Sequence, residues 1–113
     1  MQRLFVYGTL APGRSNHHVL ADIPGSWQPA TLKGFLKDEG WAAEMGYPGI
    51  VPSEHGDEVQ GQAFSSEQLE QHWPRIDDFE GDGYQRIVVQ IKVETEDGEH
   101  SETEAFVYAL RDE

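Results

Sequence analysis

The sequence contains no cysteine. That excludes thiol nucleophiles, zinc-thiolate centres and disulfides, so the fold must be held by its core alone. Positive charge is also scarce: 8 Lys and Arg stand against 21 Asp and Glu, a formal charge of −13. Such an exterior repels phosphate backbones and anionic membrane faces, so neither nucleic acid nor membrane is expected as a partner. No apolar run approaches the roughly 20 residues needed to span a bilayer. The chain enters an apolar strand almost at once, with no basic segment, long apolar stretch or cleavage site ahead of it, which predicts a cytoplasmic protein. No linker or repeat divides the 113 residues, and one domain over 1–113 is expected.

What is present is organised around the opening stretch LFVYGTLAPGRSNHHVL, residues 4–20. Leu4, Phe5 and Val6 form a short apolar strand, Tyr7-Gly8-Thr9 ends it in a glycine turn, and a short helix is expected over 15–22 with Ser15 or Asn16 as its cap. A strand-to-helix corner leaves backbone N–H groups pointing outward, and glycine lets a ligand approach them closely. The corner therefore suits a negatively charged or carbonyl-like group. Residues 8–15 nearly spell a phosphate-binding P-loop, but Arg14 stands where the lysine is required and no later strand ends in a clear magnesium-binding Asp. His17 and His18 are adjacent on the expected helix and face different ways, so no metal site is expected from them.

Further along, 27–36 reads as an irregular strand and 37–46 as a surface loop. The prolines of 47–52 suit a strand at a sheet edge. A strand is expected over 59–64, then a helix capped by Ser65 or Ser66, interrupted at Pro74 by a kink or by the start of a fresh helix. The clearest strand is 84–95, where Ile87, Val89, Ile91 and Val93 alternate with Val88, Gln90, Lys92 and Glu94. Asp97-Gly98 reads as a hairpin turn to a returning strand over 103–110. The acids Glu94, Glu96, Asp97, Glu99, Glu102 and Glu104 gather there, as solvating charge on an exposed hairpin. The pattern is that of an α+β domain with a mostly β core.

One carboxylate falls out of place. Leu69, Trp73 and Ile76 mark the inward stripe of the second helix, and Glu80 is the next member of that stripe unless Phe79 takes the position. Burial disfavours the charged form of a carboxyl group and makes the ionised group a better proton acceptor, so Glu80 is a candidate general base. The alternative is a solvated acid at a helix end. Asp77 and Asp78 could join it as a hydrolytic or metal-binding carboxylate pair, but adjacent acids on a helix diverge. No GxSxG elbow is present, and residues 81–86 lack the third glycine of a dinucleotide fingerprint and precede a strand.

The strand FVYGTL with the Pro-Gly and Asn-His segment behind it resembles the opening motif of the gamma-glutamylcyclotransferase-like family, in particular its short gamma-glutamylaminecyclotransferase-type members. Later stretches agree in order: YPGIVP at 47–52, VQGQAF at 59–64, IDDFEG at 76–81 with Tyr84-Gln85-Arg86, and AFVY at 105–108. The resemblance covers nearly the whole chain, and YGTL followed by DDFEG and YQR is its most specific part. It implies a small mixed β-barrel with peripheral helices and a substrate cavity at one barrel mouth. It implies that Glu80 is the catalytic acid/base and that Tyr7, Gly8, Thr9 and Leu10 cradle a gamma-glutamyl group. Tyr108 resembles a pocket-lining tyrosine of the family, though an aromatic on a barrel strand is as often core. Arg86 is expected either to bind the substrate carboxylate or to pair with an acid such as Asp77. The implied reaction, closure of a gamma-glutamyl amide to 5-oxoproline with release of an amine or peptide, needs no metal and no cofactor. The alternative is a non-catalytic module that binds a small carboxylate or amide in the same pocket.

Overall fold

The computed structural model describes residues 2–7, 18–37, 49–80, 84–95 and 97–110. Along these run β1 (Gln2–Val6), α1 (His18–Ala21), β2 (Ser26–Lys37), β3 (Gly49–Pro52), β4 (Asp57–Ser66), α2 (Leu69–Glu80), β5 (Tyr84–Glu94) and β6 (His100–Leu110). All strands belong to one sheet. β1 pairs antiparallel with β4, where Leu4 lies opposite Phe64, and parallel with β6, where Leu4 lies opposite Phe106. β4 continues to β2, β2 touches β5 at Ala30 and Thr31, and β5 pairs with β6 along its length. The circuit β1, β4, β2, β5, β6 and back to β1 is thus a closed barrel, and with α1 and α2 outside it the molecule is a small α+β barrel.

The two faces of each strand supply two separate cores, because successive side chains point to opposite sides of a sheet. Phe5, Ala30, Leu32, Ile50, Val59, Ala63, Ile91, Val93, Ala105, Val107 and Ala109 cluster inside the barrel, with Tyr7, Ile87 and Val89 against them. Leu4, Val6, Phe64, Tyr84 and Tyr108, from the outer faces of the strands, pack with Leu20, Ile23, Leu69, Trp73 and Ile76 from the two helical segments. The apolar face expected of β5 therefore lines the barrel, while the alternate positions Tyr84 and Arg86 of the same strand face the helix layer. At Gly61 of β4 a side chain is not tolerated, since a Cβ there would lie 2.4 Å from the carbonyl oxygen of Val6 and 2.8 Å from the ring of Phe5.

Three expectations from sequence are corrected. The stretch 27–36 belongs to a long regular strand, not an irregular one, paired with β4 from Ser26 to Gly34. β3 is not at an edge, for it is held between β2 and β6. Its proline comes last, at Pro52, so the preceding residues keep their N–H groups, and that of Ile50 donates to the hydroxyl of Tyr7. Pro74 does not begin a fresh helix: α2 runs through it. Its missing N–H deprives the Glu70 carbonyl of its helical donor, but both residues sit on the exposed side, where water replaces the bond. Burial of Leu69, Trp73 and Ile76 on the opposite side, roughly 1.5–3 kcal/mol for each large apolar side chain, offsets that cost. The stripe itself is as expected. The first helix is described only over His18–Ala21, and its expected cap lies outside the described residues.

Local chemistry fixes the ends. The Ser66 hydroxyl donates to the Pro24 carbonyl at 2.6 Å and accepts the Gln68 N–H at 3.0 Å, tying the entry of α2 to the segment before β2. At the β5–β6 hairpin Gly98 takes φ of 83°, a conformation costly for residues with a Cβ, and the Thr95 N–H donates to the Glu99 carbonyl at 2.8 Å. The Thr95 hydroxyl donates to the Asp97 carboxylate. That bond, with a further one from the Glu99 backbone, holds the Asp97 carboxyl below its ordinary value of 3.8. Among the described residues no helix is long and apolar enough to cross a membrane.

Two outcomes follow. Ser66→Ala leaves the Pro24 carbonyl and the Gln68 N–H without their partner and should lower unfolding free energy by about 1–2 kcal/mol in urea titrations. Because the Asp97 carboxyl is depressed in the folded state, its contribution is present above the ordinary carboxylate value and lost as pH falls through the lowered one. Thr95→Val should therefore make stability fall less steeply with acidification below pH 3.8, as read by melting temperatures on an acid series.

Candidate active site

The site is built where three elements end or cross: β1 at Tyr7, β6 at Tyr108 and the last turns of α2. Tyr7 follows β1 with its ring turned into the barrel, stacked on Phe5 at a centroid distance of 6.2 Å. Its hydroxyl donates to the Tyr108 carbonyl at 2.7 Å and accepts the Ile50 N–H at 3.1 Å. One phenol thereby joins the end of β1 to both β6 and β3. The residues it leads into, Gly8, Thr9 and Leu10, lie outside the described residues.

On the outer face of β6 the Tyr108 side chain points the other way, toward α2. It is 5% exposed, and its hydroxyl donates to Oδ1 of Asp77 at 2.7 Å. Asp77 also receives Arg86 from β5: Nη2 donates to Oδ2 at 3.4 Å, and Nε lies 3.2 Å from Oδ1. The Nε–H is not aimed along that line and makes no hydrogen bond, so at this nitrogen the contact is an ion pair only. The guanidinium is fixed from below by aromatic faces, 4.3 Å from the Trp73 ring centre and 5.2 Å from that of Phe106. A flat, weakly hydrated cation is suited to such a platform, where a lysine is not. Trp73 is held in turn by its indole N–H, which donates to Oε1 of Gln2 at 2.6 Å, and by an edge contact with Phe106 at 5.1 Å.

Of the residues singled out from sequence, the structure thus brings Tyr7, Arg86 and Tyr108 into one neighbourhood, with Tyr108 common to both sides. For Arg86, the expected pairing with Asp77 is present. Glu80 closes α2 one turn beyond Asp77; its side chain lies outside the described residues. Asp77 was expected as a partner for Arg86 or in a carboxylate pair with Asp78; it also takes the Tyr108 hydroxyl and so becomes a point where helix and barrel meet. Its signal was positional. It lies four residues beyond Trp73 and three before Glu80, on the flank of the buried stripe rather than on the outer face.

Chemically, the arrangement offers a frame at the barrel end where β1 gives way to Tyr7. A buried phenol and a stacked guanidinium converge on one carboxylate, which ties all three groups together while the Arg86 Nε–H is left without a hydrogen bond. Among the described residues no three His, Asp or Glu side chains gather as a metal-binding group.

Comparison with known proteins agrees with this architecture over nearly the whole chain. A sequence model of the family "Gamma-glutamyl cyclotransferase, AIG2-like" matches residues 4–113. The gamma-glutamylaminecyclotransferase of Rattus norvegicus is 33% identical over 125 residues, covering 96% of this chain and 78% of the relative. The crystal structure of an aig2-like protein from Mus musculus superposes with a TM-score of 0.70 at 28% identity, over 97% of this chain and 77% of the mouse chain. YkqA from Bacillus subtilis gives a TM-score of 0.69 at 29% identity over 97% of this chain, which corresponds to only 36% of YkqA. On the match of its sequence from residue 4 to residue 113, the chain belongs to the gamma-glutamyl cyclotransferase, AIG2-like family.

Proposed function

We propose that residues 1–113 act as a single-domain cytoplasmic enzyme that cyclises the gamma-glutamyl group of a gamma-glutamyl amine, amino acid or peptide to 5-oxoproline. In this reaction the substrate's own α-amino nitrogen attacks its γ-carbonyl carbon. A five-membered lactam closes, the bond from that carbon to the amide nitrogen breaks, and the amine or peptide leaves. At neutral pH the attacking nitrogen begins as an ammonium and must lose a proton, while the leaving nitrogen must gain one. Glu80 carries that proton from one nitrogen to the other, acting first as base and then as acid.

The corner Tyr7-Gly8-Thr9-Leu10 cradles the gamma-glutamyl group, its backbone N–H groups holding the substrate carboxylate or the oxyanion formed at the γ-carbon. Arg86 and Tyr108 form the wall of the same mouth, and no metal or cofactor is needed. The observation that carries this reading is the bonding of Tyr108. Its carbonyl is held by the residue that precedes Gly8, and its hydroxyl by the helix that ends in Glu80, so the cradle and the base hang from one residue. Family membership over residues 4–113 supports the reaction class. The rat relative's name, gamma-glutamylaminecyclotransferase, supports an amine as leaving group. A formal charge of −13 favours a cationic one, such as the side-chain amine of a gamma-glutamyl-lysine isopeptide.

Glu80→Gln keeps the shape of the side chain and removes the proton carrier. It should lower 5-oxoproline formation at least a hundredfold, within the usual range for general acid–base catalysis, with an unchanged melting temperature. Turnover within twofold of the parent protein would exclude Glu80 as the acid/base.

A further inference from the structure

We infer that Asp77 is a positioning residue, whose carboxylate fixes the last turn of α2, and with it Glu80, against Tyr108 on β6. The inference rests on the cyclotransferase reading for its effect on rate, and on geometry alone for its effect on the helix.

The helix is short, running from Leu69 to Glu80, and carries Pro74 inside it. A helix of that length is marginal alone and takes its order from packing. Its apolar anchors, Leu69, Trp73 and Ile76, are all buried, but the last of them lies a full turn before Glu80. Beyond Ile76 the next inward group is Phe79, only partly buried against the core. No basic residue occupies the last turn to satisfy the helix C-terminus. Over this final turn the polar attachment is Asp77: Tyr108 donates to it at 2.7 Å, and Arg86 pairs with it at 3.2 Å.

Both partners are themselves packed in place. Tyr108 is buried at 5% exposure and is paired with Arg86 on β5, near the end of the β5–β6 ladder. Arg86 lies against Trp73 and Phe106. A carboxylate that receives a phenol and a guanidinium from two paired strands is held in two directions, so the helix can neither slide along the barrel nor turn about its axis at that point. A base that must reach two nitrogens in succession depends on such placement, because displacement by about 1 Å can cost a hundredfold in rate.

The test compares the full chain with Asp77→Asn, Tyr108→Phe and the double variant. Hydrogen exchange of the amides at the end of α2 and 5-oxoproline kinetics on one gamma-glutamyl amine are both read. Asp77→Asn removes the charge that the phenol and the guanidinium share, and Tyr108→Phe removes the phenol's hydrogen bond, so exchange over residues 76–80 should speed by about tenfold or more while the barrel strands keep their protection. Each should lower kcat by about tenfold, with KM within about twofold for Asp77→Asn. The double variant should be no worse than the poorer single one, since both changes cut the same tie. Unchanged exchange at the end of α2 in both single variants would overturn the inference. So would additive losses of kcat, or a raised KM with kcat intact in Asp77→Asn, which would instead mark Asp77 as a binding group. A parent protein that makes no 5-oxoproline would sink the enzymatic reading alone, leaving the exchange measurement to decide the positioning role.

Discussion

The parallel pairing of β1 with β6 is the contact that turns a sheet into a barrel. It joins Leu4 and Phe5 to Phe106 and Val107 at opposite ends of the chain, and it is extended by a side chain, the Tyr7 hydroxyl on the Tyr108 carbonyl, between residues 101 positions apart. So long a closure carries a large entropic cost, and it is met by burying Leu4, Phe5 and Val107 almost completely. Everything proposed for the site depends on this closure. Without it Tyr7 at the end of β1 and the wall formed by β5 and β6 would not lie near one another.

Tyr108 extends that constraint outward. Its backbone belongs to the barrel wall, its carbonyl secures the end of β1, and its hydroxyl reaches the carboxylate of Asp77 on α2. Arg86, its neighbour across β5, reaches the same carboxylate from above Trp73. The inner core thus sets the shape of the barrel, the outer core sets the position of the helix, and one residue connects the two. This also explains how α2 tolerates Pro74: Leu69 and Trp73 anchor the helix before it and Ile76 and the Asp77 tie after it, while the lost backbone bond falls on the solvent face.

Much of this was legible from residue pattern. Strict alternation in β5, the Asp97-Gly98 turn, the Ser66 hydroxyl at the entry of α2 and the inward stripe of Leu69, Trp73 and Ile76 all follow from local rules, and each is present. Closure was not legible in that way, because alternation tells which face of a strand is apolar but not which strand lies beside it. The barrel came from family resemblance. β3 was misjudged for a related reason: the prolines of 47–52 argued for an edge, but within the strand Pro52 comes last, and the N–H of Ile50 meets the Tyr7 hydroxyl. At the site, Tyr7, Arg86 and Tyr108 were chosen as residues of a mouth, and the structure finds them linked. Gly8, Thr9, Leu10 and the Glu80 side chain fall outside the described residues. Asp77 was named as a partner for Arg86, which it is, but its bond from Tyr108 was not foreseen, since that depends on the pair of strands that face it, a property of the assembled barrel.

The central claim is that this mouth closes gamma-glutamyl amides on themselves. It is tested most directly by incubating the protein with a panel of gamma-glutamyl amines, amino acids, peptides and the lysine isopeptide, and following 5-oxoproline and free amine together by mass spectrometry. The account predicts equimolar appearance of both products from at least one member of the panel, fastest where the leaving group is a cationic amine. Recovery of every substrate intact, with one of them raising the melting temperature, would contradict it and make the protein a binding module built on the same frame.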